Sequence, residues 1–74
     1  MKLYTIKSQV SGEEIRTICS CTRKREIESM FNRMMKSFGK DFNYIVENIR
    51  IGYSKVTFYG FCGHIETEYW IERA

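Results

Sequence analysis

Residues 23–38 read RKREIESMFNRMMKSF, and this stretch decides the fold. Ile27, Met30, Phe31, Met34 and Phe38 recur at i, i+3, i+4, i+7 and i+11. That spacing draws one apolar stripe along an α-helix. The helix is expected at about residues 23–38, with Ser20 or Thr22 as cap and Gly39 as its end. Arg23, Lys24 and Arg25 crowd the first turn, where the helix dipole favours acids instead.

On both sides of this helix the apolar period changes to two. Residues 2–10 read as a strand, with Tyr4, Ile6 and Val10 on one side. Ser11-Gly12 signals a turn, and residues 14–20 read as a second strand pairing with the first. Residues 41–51 suit either a short helix through Phe42, Ile45, Val46 and Ile49, or a strand with one bulge. Their aromatic and β-branched content favours the strand. Gly52 begins a turn, and residues 55–61 and 64–72 form two more strands joined by a hairpin turn at Cys62-Gly63. In the last strand, Ile65, Thr67, Tyr69 and Ile71 alternate with Glu66, Glu68, Trp70 and Glu72.

The resulting order is β-β-α-β-β-β. It predicts an α+β fold: an antiparallel β-sheet with one α-helix packed on one face. The chain of 74 residues, residues 1–74, is one compact domain without repeats or linkers. A chain this short hides only about 60% of its unfolded surface, which leaves no room for a deep interdomain cleft.

Charge is unevenly placed. The formal net charge is +3. Residues 16–40 carry Arg16, Arg23, Lys24, Arg25, Arg33, Lys36 and Lys40 against Glu26 and Glu28, net +5. Residues 41–74 carry Arg50, Lys55 and Arg73 against Asp41, Glu47, Glu66, Glu68 and Glu72, net −2. Such asymmetry bears on partners rather than on fold. No secretory signal and no transmembrane run is visible, and three cysteines cannot close a disulfide framework. The expected location is cytoplasmic, with no membrane partner.

Several constellations invite chemistry. Cys19, Cys21, Cys62 and His64 include the residue types of a zinc site. However, residues two apart on a strand lie about 6.5–7 Å apart, too far for two thiolates on one ion. Cys62 and His64 have no orienting third group, and Glu66 and Glu68 read as a solvated stripe. No metal site, no cofactor and no catalytic residue is expected, so the chain is read as non-enzymatic.

Binding residues are easier to nominate. On the helix, Arg25, Ser29, Arg33, Lys36 and Lys40 lie roughly opposite the apolar stripe. This basic stripe suits nucleic-acid phosphates or an acidic protein surface. Eleven aromatic residues exceed what one helix–sheet interface needs. Tyr53, Phe58 or Tyr59, Phe61 and Trp70 are therefore expected partly on the other face of the sheet or its rim. The candidate partner-binding residues are Arg25, Arg33, Lys36, Lys40, Tyr59, Glu66, Glu68 and Trp70.

In size and plan the chain is similar to many small proteins of phages and mobile elements. Some of these, the anti-CRISPR proteins among them, block a host nucleic-acid-processing defence complex. That resemblance rests on layout, without diagnostic residues, and implies a protein-binding inhibitor. The expected partner is another protein or a protein–nucleic-acid complex, with a homodimer through the open sheet face as a further partner. The alternative is a nucleic-acid-binding module using the basic helix stripe and sheet aromatics.

Overall fold

The computed structural model describes residues 2–73. Five strands and one helix follow the predicted order: β1 (Tyr4–Val10), β2 (Ile15–Cys21), α1 (Lys24–Gly39), β3 (Tyr44–Arg50), β4 (Tyr53–Gly60) and β5 (Gly63–Arg73). The strands form one sheet in the order β2-β1-β5-β4-β3, antiparallel throughout. Two sequence-local hairpin systems, β1–β2 and β3–β4–β5, are joined by β1 against β5. The helix carries the chain from the β2 edge to the β3 edge across one face.

The core lies between helix and sheet. Ile6, Ile27, Phe31, Met35 and Val56 are buried there, with Met30, Met34 and Phe38 packed partly buried around them. The predicted stripe is thus corrected by one residue: Met35 joins the centre, while Met30 and Met34 sit on its flank. A row of ring contacts extends this core past the helix C-terminus. Phe38 lies 5.5 Å from Tyr69 and 5.0 Å from Tyr44, and Tyr44 lies 5.1 Å from Phe58. Tyr69 has Ser8 and Ser54 as its cross-strand neighbours, small residues that leave its ring room. Ser54 is buried and satisfied, donating from its hydroxyl to Asn48 Oδ1 at 2.8 Å.

The helix ends differ from the sequence expectation. Arg23 occupies the N-cap with extended dihedrals and no side-chain cap bond, so neither Ser20 nor Thr22 caps the helix. Ser20 lies in β2 and bonds Thr5 at 3.0 Å instead. Glu26 partly offsets the basic first turn by pairing with Arg23 at 3.5 Å. At the other end, Gly39 is the last helical residue but has no positive φ, and the C-cap Lys40 is right-handed.

Residues 44–50 form a strand, with a register shift between Asn48 and Arg50. The β4–β5 turn falls on Phe61-Cys62 rather than Cys62-Gly63, because Gly60 pairs with Gly63. Gly63, at φ 121°, takes the backbone shape that an L side chain avoids, directly after the turn. Relative to the predicted turn, the pairing slides by two residues along the hairpin. A two-residue slide leaves every side chain on its expected face.

Candidate functional site

The face of the sheet away from the helix is built by parity. Ile6, Ile71 and Val56 face the core, so Lys7, Trp70 and Lys55 face outward beside their neighbours. The same rule places Glu66, Glu68, Glu72, Tyr53, Tyr59 and His64 on this open face. Of the sequence candidates, Tyr59, Glu66, Glu68 and Trp70 therefore share one surface. Phe58 belongs to the helix side, and Phe61 stands in the β4–β5 turn, fully exposed.

Polar pairs organise this face. Lys7 Nζ lies 2.9 Å from Glu72, and Trp70 Nε1 donates to the same carboxylate at 3.1 Å. Lys55 Nζ lies 3.2 Å from Glu66. The Tyr53 hydroxyl donates to Glu68. Tyr53 and Trp70 are cross-strand partners with nearly parallel rings, 6.5 Å between centroids, and Arg50 lies 5.2 Å over the Tyr53 ring. Tyr59 and His64 form a second ring pair at 5.9 Å.

These bonds shift two titrations. The bond to Glu68 raises the Tyr53 phenol above its ordinary value, aided by partial desolvation and the carboxylate's charge. Lys7 and then Trp70, by hydrogen bonding, hold the Glu72 carboxyl below the usual carboxylate range. Among the sequence candidates, Trp70, Glu66 and Glu68 were legible from alternation. Tyr53 as Glu68's partner, and Lys7 and Lys55 as counter-ions, were not singled out. The pairing of residues 53–60 with 63–70 is the signal that would have found Tyr53 and Lys55.

The basic stripe lies on the other side of the molecule. Arg25, Ser29, Arg33 and Lys36 on α1 and the C-cap Lys40 are all exposed. Among the described residues, none of its four cations takes part in an ion pair. Arg33 also overlooks a shallow groove between α1 and β2, with Cys19, Met30, Met34 and Ser37. The stripe and the open face are therefore separate surfaces, divided by the helix–sheet core.

The four zinc candidates are not brought together. Cys19 and Cys21 lie in edge strand β2, with Cys21 donating to the Arg23 carbonyl at 3.1 Å. Cys62 and His64 lie at the β4–β5 hairpin tip. Among the described residues, no group of three or more His, Cys, Asp or Glu side chains could share a metal ion. Nor is any helix among them long and apolar enough to cross a membrane. No protein-family model, no curated protein and no solved structure matches the chain.

Proposed function

We propose that the chain is a non-enzymatic protein-binding module that works through its open sheet face, with the basic helix stripe as a second, electrostatic contact. The observation that carries this reading is the interleaving of rings and carboxylates on the open face. Trp70 is tied to Glu72 and Tyr53 to Glu68. Aromatic residues with fixed polar partners are typical anchors of protein interfaces. The same carboxylates repel phosphate, which makes this face a poor stacking platform for a nucleic acid. The concrete form of the proposal is an inhibitor that occupies a working surface of a nucleic-acid-processing complex, as anti-CRISPR proteins do. Small size and layout support that form.

A second reading, nucleic-acid binding, is favoured by the unpaired cations of the stripe. Charge reversal at Arg33 and Lys36 separates the two. For protein binding, the double reversal should slow association and leave much of the affinity. For nucleic-acid binding it should abolish affinity, and wild-type binding should weaken steeply with added salt.

A further inference from the structure

Four exposed apolar residues line one edge of the sheet, while Phe61, at 111%, stands in the β4–β5 turn and Ile15 and Ile18 lie on β2. Phe42 is 103% exposed, Ile51 93%, Ile45 57% and Ile49 53%, and all four lie on β3 or immediately beside it. β3 is an edge strand. Its stretch Tyr44–Asn48 is regular, the register shift coming only after Asn48. It contains no proline, no lysine and one charge, Glu47. Edge strands are ordinarily guarded by prolines, lysines or bulges, and over Tyr44–Asn48 the one such device is the charge of Glu47.

We propose that a second copy of the chain pairs with β3, antiparallel and across a two-fold axis at Val46, continuing the sheet from one copy into the other. Strand polarity selects this arrangement. Every neighbouring pair in the five-stranded sheet is antiparallel, so the two edges, β2 and β3, run in the same direction. Head-to-tail growth of β3 onto β2 of the next copy, with every helix on the same face, would need a parallel junction, the weaker pairing. A two-fold axis instead sets an edge antiparallel to itself. The β2 edge is unsuited to that, having an irregular register in its middle and Arg16 and Arg33 beside it.

The register follows from the backbone. The Tyr59 N–H donates to the Asn43 carbonyl at 2.7 Å, which fixes the phase of the β3–β4 ladder. Ile45 and Glu47 then turn their main-chain groups inward to β4, while Tyr44, Val46 and Asn48 turn theirs outward. The Tyr44 N–H is already held by the Asp41 carbonyl at 3.2 Å. The other outward groups supply about four inter-chain bonds when Val46 faces Val46 and Tyr44 faces Asn48 of the other copy. Centring on Glu47 instead would set two like charges directly opposite. With the axis at Val46, Ile45 meets Glu47 of the second copy. Exposed Phe42, in the Asp41–Tyr44 turn that enters β3, then stands at both ends of the joined strands.

Sedimentation of the full chain from about 1 µM to about 1 mM tests this, a range that spans weak to moderate self-association. The wild type should show a concentration-dependent monomer–dimer equilibrium. Ile45→Glu places a carboxylate opposite Glu47 twice and should weaken dimerisation by ~10-fold or more. Adding Glu47→Lys to that variant converts both clashes into opposite-charge pairs and should restore the dimer. Phe42→Ser, in a loop and outside the core, should also weaken it without unfolding the monomer. A monomeric wild type throughout the range overturns the proposal. So does a dimer indifferent to Ile45→Glu and Phe42→Ser, or one that the double variant fails to restore.

Discussion

Truncating Phe31 to alanine removes a ring that is almost wholly shielded between α1 and the sheet. The expected loss is ~3–5 kcal/mol, large against the stability of a small domain. Met35→Ala should cost more than Met30→Ala or Met34→Ala, because only Met35 among them is buried. Urea denaturation of the four variants checks both statements. The sequence placed Phe31 and Ile27 in the core but put Met30 and Met34 in Met35's place. Adjacent methionines differ by only about 100° around a helix, so spacing alone does not settle which one turns inward. Titration offers a second residue-scale test. The Tyr53 phenol has a raised pKa, so its contribution to stability is complete below its ordinary value of 10.0 and is lost as pH rises through the raised one. Glu72 is lowered, so its contribution is present above its ordinary 4.5 and is lost as pH falls through the lowered value. Phenolate absorbance should show two tyrosines titrating late, Tyr53 through this bond and Tyr69 through burial, and Glu68→Gln should bring only the Tyr53 midpoint back toward the ordinary value.

The elements carry their own signals unequally. The helix was legible because its apolar stripe, Ile27 to Phe38, repeats over about three turns. Residues 44–50 were legible as a strand through their β-branched content, and the irregular register near Ile49 matches the expected bulge. The caps were not legible, because Ser20 and Thr22 look like caps in sequence while tertiary pairing takes Ser20 into β2. That leaves the helix N-terminus with Arg23, a residue that offers no acceptor. Arg23→Asp supplies one and adds a favourable charge at the positive end of the helix dipole. It should raise stability by about 1 kcal/mol, read as a shift in urea midpoint at unchanged slope. An unchanged or lower midpoint would mean that the Arg23–Glu26 pair already does the work of a cap.

At the scale of the whole molecule, the core divides two surfaces of opposite character. The alternation of the last strand and the helical spacing of the cations made both surfaces legible in the sequence. The pairings that shape the open face were less so, because they join Lys7, Tyr53 and Lys55 to β5 across strand boundaries. Trp70, the single tryptophan, sits at the centre of those pairings. Its truncation should empty a central anchor while leaving the helix stripe and the buried core intact. The most direct measurement is quantitative co-purification from a nuclease-treated cell lysate, comparing wild type, Trp70→Ala and Arg33→Glu/Lys36→Glu. The expected result is a discrete protein partner that survives nuclease treatment, is lost with Trp70→Ala, and is largely kept by the charge-reversed variant at physiological salt. Material that disappears on nuclease treatment, is lost on charge reversal and is indifferent to Trp70→Ala would contradict protein binding through the open face and establish nucleic-acid binding through the helix.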